Sequence, residues 1–264
     1  MTTTLSQRAR RQRRERYRPM ASHRTRGALV VIVMAALLLA GCSDTASPSQ
    51  QGPEGGGKAT PQATLDADVA PVTARMWSQM KKAQMIRAEC PVQSRERLRA
   101  IAMNHYNFEG EVQRGTLVVN KDVADSVVRI FNRLFEERFP IRQMQPVERF
   151  GGDTNASLRA DNTSGFNCRR PDQINAPFKE SPHANGRAID INPRENPWKD
   201  LRCKCWLPSG RERARVDGAG KILKGGTVWL AFVKEGWVWQ DIKVPDYMHF
   251  DTGYPSKPFR TKNR

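Results

Sequence analysis

The chain has 264 residues, 38% of them hydrophobic and 27% charged. That is enough for one substantial domain with extensions, and it excludes both general disorder and a polytopic membrane protein. Lys and Arg number 44 against 27 Asp and Glu, a formal net charge of +17 that would ordinarily point to nucleic acid. The charge is unevenly spread, however: residues 1–26 hold nine Arg and one acid, Glu15, so about half of the excess lies outside the part expected to fold.

The N-terminal segment reads as an address. Residues 27–42 form an uncharged, mostly apolar stretch with a core of about 14 residues that ends in small side chains, a length that suits a signal peptide and is short for a bilayer span. Its end, Leu39-Ala40-Gly41-Cys42, resembles the bacterial lipobox. This implies that residues 1–41 are a signal peptide, that the Cys42 thiol is lipidated, and that the mature chain starts there. Residues 1–19 are long and Arg-rich for such a signal, whereas Met20 begins a conventional short basic start, so Met20 is the expected initiator. Residues 42–70, rich in Ser, Pro, Gly, Gln and Thr, read as a flexible tether reaching about 30 Å on average and about 100 Å fully stretched.

Residues 71–264 carry the folded domain. Val72, Met76, Met80 and Ala83 recur at helical spacing and predict an opening helix, with the methionines as core. Strands are predicted at 98–106 and 115–119. Asn120 is placed to cap a helix with Val123, Val127, Ile130, Phe131, Leu134 and Phe135 on one face, ended by Pro140. The chain then reads as extended over 140–147, loop-rich over 150–182, and as short strands at 187–192, 229–233 and 247–252. Helices and strands without strict alternation indicate an α+β domain. Apart from Cys42 there are four cysteines, Cys90, Cys168, Cys203 and Cys205, which in an exported chain suggests two disulfides. A Cys203–Cys205 bond closes a very tight ring, so each of the two is expected to bond one of Cys90 and Cys168. A zinc site of all four lacks the usual two-residue spacing.

The chemistry concentrates in two stretches. In 181–192, Gly186 allows a turn, after which Ala188, Asp190 and Asn192 share one face of a strand while Ile189 and Ile191 bury the other. His183 before the turn and Asp190 on the strand can then converge. In 246–251, His249 points to one side of a strand and Phe250 to the other. Of the domain's three histidines, His105, His183 and His249, two fall in these stretches, and two imidazoles with a carboxylate, leaving one position for water, is a standard catalytic zinc arrangement. Asp251, on the face of His249, is either a group that orients it or a solvated acid; His105 reads as structural. Trp229, Trp237 and Trp239 read as core or cleft wall.

Ser181, His183, Gly186, Ala188 and Asp190, followed by Asp246 and His249, resemble the zinc D-alanyl-D-alanine carboxypeptidase and L-alanyl-D-glutamate peptidase group, which also includes vancomycin-resistance D,D-dipeptidases and phage endolysins. Residues 161–169, 191–197 and 236–239, with Cys90-Pro91 and the 139–141 step, extend the resemblance over about 88–251. Residues 240–243 depart from it, where many relatives have glycines and another tryptophan. The resemblance implies a Hedgehog/DD-peptidase-like domain with a central, mainly antiparallel sheet flanked by helices. It implies one Zn²⁺ held by His183, Asp190 and His249, polarising the scissile carbonyl and lowering the pKa of a bound water to about 7. It implies Asp246 as general base, Arg169 as the partner of the oxyanion or of a substrate carboxylate, and Ser181 as a substrate hydrogen-bonding group. A disulfide at Cys168 would pin the backbone beside Arg169.

Together these readings predict a monomeric, lipid-anchored, extracytoplasmic zinc metallopeptidase acting on peptidoglycan stem peptides, with the membrane as its other partner through the N-terminal lipid. The rival is a zinc-containing, non-hydrolytic cell-wall-binding module of the same fold. Nucleic-acid binding rests only on the total charge and is set aside.

Overall fold

The computed structural model describes residues 63–169, 181–239, 244–253 and 257–258. The expected signal segment, Cys42 and the tether up to residue 62 lie outside them, as do residues 240–243; the last residues of the expected tether are instead part of the fold, with Leu65 buried in the core and Asp68–Pro71 in a strand. No helix among the described residues is long and apolar enough to cross a membrane.

The first half is built on long strands. β1 (Asp68–Pro71) leads into α1 (Ala74–Lys82), whose N-terminus is capped by the Thr73 hydroxyl accepting from the Met76 N–H at 3.1 Å. The predicted stripe faces inward: Val72, Met80 and Ala83 are buried and Met76 packs on them. β2 (Leu98–Tyr106) and β3 (Val112–Asn120) pair antiparallel along their whole lengths, and β1 adds antiparallel to the other edge of β2. α2 (Ala124–Glu136) buries the predicted face, from Val127 to Phe135, against β2. Asn120 does not cap it. Val123 holds the cap position without a side-chain bond, while the Asn120 amide accepts from Asp122 N and donates to Asn185 O at 2.9 Å, tying β3 to the turn that will carry His183. The helix ends at Glu136, ahead of Pro140, and Arg138 turns the chain with φ 50°.

Past this point the elements shorten. The stretch read as extended yields only β4 (Gln143–Met144) before a 3-10 turn at Val147–Phe150, and the stretch read as loop contains α3 (Thr154–Arg159), capped by Asp153. β5 (Asn162–Thr163) pairs with β4 in parallel. Then come β6 (Ala188–Asp190), β7 (Trp198–Asp200), β8 (Cys205–Leu207), α4 (Thr227–Lys234), β9 (Val238–Trp239) and β10 (His249–Asp251). The strand expected at 229–233 is the middle of α4. Val228, Ala231 and Phe232 are buried while Leu230 and Val233 stay exposed, a helical period that a short, nearly continuous apolar run hides from sequence reading.

The domain is α+β with sheets that are antiparallel except for the β4-β5 pair, but the one central sheet expected is divided. Among the described residues there are two three-stranded sheets, β1-β2-β3 and β6-β10-β9, and two two-stranded pairs, β4-β5 and β7-β8. One apolar cluster joins the two larger sheets: Ile101 and Leu117 from the first and Ile189 and Phe250 from the second meet Phe131 of α2 and Phe232 of α4. A second cluster gathers α1, Leu98, Val118 and Phe166 around Cys90 and Cys168.

The cysteines pair otherwise than expected: Cys90 bonds Cys168, across 78 residues, and Cys203 bonds Cys205. Lys204 adopts φ 53°, a left-handed conformation that folds the tip of the β7-β8 hairpin tightly enough to bring its two neighbours together. Cys90 and Cys168 are both buried in the second cluster with Cα atoms 6.0 Å apart, within normal reach of a disulfide.

Candidate metal centre

Three backbone constraints bring the site together. β10 runs antiparallel to β6 in a register that sets His249 opposite Asp190, so two donors on different strands face each other by pairing alone. Phe250 points the other way and stacks on Phe232, with ring centroids 4.0 Å apart, which fixes which face of β10 His249 and Asp251 occupy. His183 comes in on the 181–186 turn. Gly186 has φ +69°, and a Cβ there would lie 2.6 Å from Asn120 N, so only glycine lets the turn close against the end of β3. The chain from Ser164 to Asn167 threads between turn and strand: Ser164 bridges Asp190, and Asn167 N donates to His183 O at 3.0 Å.

His183, Asp190 and His249 converge and are all buried. His183 Nε2 lies 3.2 Å from Asp190 Oδ1, His249 Nδ1 lies 3.0 Å from the same oxygen, and the two ring nitrogens are 3.0 Å apart. The far nitrogen of each ring is taken up outside this triangle. His183 Nδ1 donates to Gly165 O at 2.8 Å, and His249 Nε2 donates to Asp251 Oδ2 at 3.0 Å. In the neutral rings those outer bonds place the protons away from the triangle and leave one lone pair of each imidazole pointing inward. A tetrahedral zinc with bonds of about 2.0–2.2 Å sets its ligand atoms about 3.3 Å apart. The observed triangle is within a few tenths of an ångström of that spacing, and its donor chemistry, two neutral imidazoles and a carboxylate, fits the ion.

The electrostatics are those of charges concentrated under cover. Burial works against the charge of Asp190, yet His183 and His249 hold its carboxyl well below the usual range. Burial likewise opposes an imidazolium at His249, but its bonds to Asp190 and Asp251 outweigh this and push it up to about 10, so the inner Nδ1 carries a proton that a metal ion would displace on binding. Burial also opposes the charge of Asp251, which its bonds to His249 and the Gly253 N–H nevertheless hold below its ordinary value. Of the two readings of Asp251 the structure favours the orienting one: it is 1% exposed and bonded to the ring.

Asp246 sits immediately beside this group. Its Oδ1 is buried without a hydrogen-bond partner among the described residues. Burial raises its carboxyl to about 7; Asp190 and Asp251 push the same way, and His249 and Arg169 oppose them. Arg169 is brought in by the threading segment, one residue past the Cys90–Cys168 bond, and its carbonyl accepts from Arg87 Nη2 at 2.6 Å. Burial pushes its guanidinium down, while Asp190 and Asp246 push it up. Ser181 opens the turn, with its hydroxyl 3.4 Å from Ala184 N and its carbonyl accepting from Asn185 N. His105 lies elsewhere, buried beside the Tyr106 carbonyl.

Sequence reasoning placed the converging residues and missed what braces them. Gly165 acts through its carbonyl, which no side-chain pattern reveals. Asn192 and Asn196 are buried and share Gly220 O as acceptor, and Asn196 Oδ1 takes the N–H of Ile222, so this stretch ties the 215–222 loop to the end of β6.

Comparison with known proteins agrees with this geometry. Residues 175–252, which span His183, Asp190, Asp246 and His249, match the model of a family described as D-alanyl-D-alanine carboxypeptidase. No curated protein and no solved structure matches the chain. The resemblance drawn from the residues and the family match coincide: over the segment that builds the site, the chain is similar to the D-alanyl-D-alanine carboxypeptidase family.

Proposed function

We propose that the protein is a zinc-dependent peptidase that hydrolyses a peptide bond in peptidoglycan stem peptides, as a D,D-carboxypeptidase or an L-Ala-D-Glu endopeptidase. The observation that carries this reading is the donor triangle of His183, Asp190 and His249 with Asp246 beside it, whose Oδ1 is buried without a hydrogen-bond partner among the described residues. A metal ion held by the triangle supplies Lewis-acid polarisation of the scissile carbonyl and a water acidic near neutral pH. Asp246 receives the water proton at its carboxylate and returns it to the leaving amine; a carboxyl raised toward neutrality is matched to both transfers. Arg169 offers a fixed positive partner to the oxyanion or to a substrate carboxylate. Asp251 and Gly165 O hold the imidazoles in the tautomers and orientations that keep the triangle open. Ser181 contributes a hydroxyl at the rim of the turn for a substrate hydrogen bond.

The lipobox-like Cys42 and the tether support a place outside the cell membrane, anchored by lipid, with peptidoglycan within reach. The test uses the full-length protein on defined muropeptides, with products weighed by mass spectrometry, comparing zinc-loaded, chelator-treated and Asp246→Asn samples. Release of a terminal D-Ala, or cleavage after L-Ala, by the loaded native protein alone is the expected result and names the bond. A folded, zinc-loaded protein that cuts neither muropeptides nor intact sacculi would instead be a binding module.

A further inference from the structure

The metal donors and Asp246 are held by different parts of the chain. Sheet pairing sets His249 opposite Asp190, and β10 begins at His249, so its ladder does not reach back to Asp246. Between the two the chain makes a turn closed by a long bond, His249 N to Asp246 O at 3.3 Å. A group that exchanges protons with the reacting atoms tolerates little error in position, since a shift of about 1 Å can cost about 100-fold in rate.

What holds this turn is the β7-β8 hairpin. Trp198 forms an antiparallel β-bridge with Asp246, Lys199 N donates to Pro245 O at 2.7 Å, and Tyr247 N donates to Pro197 O at 3.4 Å. Side chains repeat the connection. Trp206 of β8 stacks on Tyr247, with ring centroids 5.7 Å apart and the planes 20° from parallel. Arg215 covers Tyr247 with its guanidinium at 4.2 Å, and Trp239 Nε1 donates to Tyr247 O at 2.9 Å. Trp206 is itself confined. It pairs across the hairpin with Lys199, whose ammonium lies 6.0 Å from the ring centroid, and Gly210 passes so close that a Cβ there would lie 3.1 Å from Trp206 Cδ1. A hairpin this short is marginal by itself, and the Cys203–Cys205 bond closes its tip.

We propose that the β7-β8 hairpin is a mount that sets the position of Asp246 independently of the metal donors, with Trp206 as a positioning residue acting through Tyr247. This rests on the peptidase reading above and deepens it: the proton acceptor and the metal donors are separately supported, so one can be displaced while the other stays in place.

The test compares full-length Trp206→Ala with the native protein. Hydrogen exchange read by mass spectrometry should speed up over residues 245–247 and stay unchanged over β2 and β3. Zinc affinity, measured by competition with a chelating dye, should not change. On defined muropeptides kcat should fall about 10- to 100-fold with KM unchanged. In an Asp246→Asn background the same change should add little, because the group being positioned is already gone. Trp206→Phe, which keeps a ring against Tyr247, should restore most of kcat and serves if the alanine variant does not fold. Zinc affinity that falls along with kcat, a rise in KM in place of the fall in kcat, equal losses in the native and Asp246→Asn backgrounds, or unchanged exchange over 245–247 would overturn the assignment. A native chain that cuts neither muropeptides nor sacculi would overturn the peptidase reading instead, and the exchange and zinc measurements would still decide whether the hairpin holds Asp246.

Discussion

The two three-stranded sheets divide the work of the molecule. In β1-β2-β3 the central hairpin keeps nine consecutive residue pairs in register, from Leu98 opposite Asn120 to Tyr106 opposite Val112, and its buried side is mostly aliphatic. In β6-β10-β9 the longest pairing is three residues, and one face holds Asp190, His249 and Asp251, all buried. A sheet so short and polar has little stability of its own. It persists because it leans on the first: Asn120 N donates to Gly186 O at 2.7 Å, Phe166 N donates to Val118 O at 2.7 Å, and Phe250 and Ile189 join the apolar cluster of β2, β3 and α2. The difference teaches that a rigid, ordinary sheet lets a neighbouring one hold charges that it could not hold alone.

If that division is right, damage to each sheet should have a different signature. The largest effect is expected from Asp246→Asn. Loss of the proton acceptor should lower kcat by about 10²–10⁴-fold, with zinc content by mass spectrometry and thermal unfolding near those of the native protein. Ile101→Ala or Leu117→Ala, both at wholly buried positions of the first sheet, should cost about 2–5 kcal/mol in denaturant unfolding. That loss should be the same with and without chelator, because neither side chain touches the metal group. A variant of the first sheet that lost zinc affinity before it lost stability would erase the distinction.

The same division explains how much could be read in advance. The long elements were legible because period and composition agree over many residues: the α2 face and both strands of the first hairpin stand where the pattern put them. The converging residues were legible because Gly186 permits the turn after His183 and strand alternation puts Asp190 and His249 on faces that pairing then sets opposite each other. Short elements were not. The run within 227–234 carries too few polar residues to distinguish strand from helix, and it is helical because its buried positions fall at Val228, Ala231 and Phe232. The pairing of Cys203 with Cys205 depended on the left-handed Lys204, a backbone conformation that no composition announces. The division of the expected single sheet was equally hidden, since it depends on where three-residue strands find partners across the chain.

Asp251→Asn sharpens the contrast within the site itself. The change keeps the shape of the side chain but removes the charge that orients His249 Nε2. Zinc affinity measured by competition with a chelating dye should fall about 10- to 100-fold. Unfolding of the chelated protein should move little, since the first sheet is untouched.

The smallest effect concerns Glu195, in the loop just beyond β6. Burial, then the adjacent Asp161 carboxylate and its hydrogen bond, raise Glu195 to about 7, with Arg142 opposing. Its Oε2 is buried without a hydrogen-bond partner among the described residues, and its carbonyl accepts from Arg215 Nη2 at 2.7 Å. The folded chain thus binds a proton at pH values where the unfolded chain has released it. Stability from this group is complete below the ordinary value of 4.5 and is lost as pH rises through about 7. Glu195→Gln keeps the neutral form at every pH. Its advantage over the native protein in denaturant unfolding should therefore be greater at pH 8 than at pH 4.5, by about 1 kcal/mol once the partial exposure of the side chain is discounted. A native stability that instead rose from pH 4.5 to pH 8 more steeply than that of Glu195→Gln would mean that the carboxyl is ionised in the fold. The braces around Asp190 would then tolerate charge outside the metal group as well as within it.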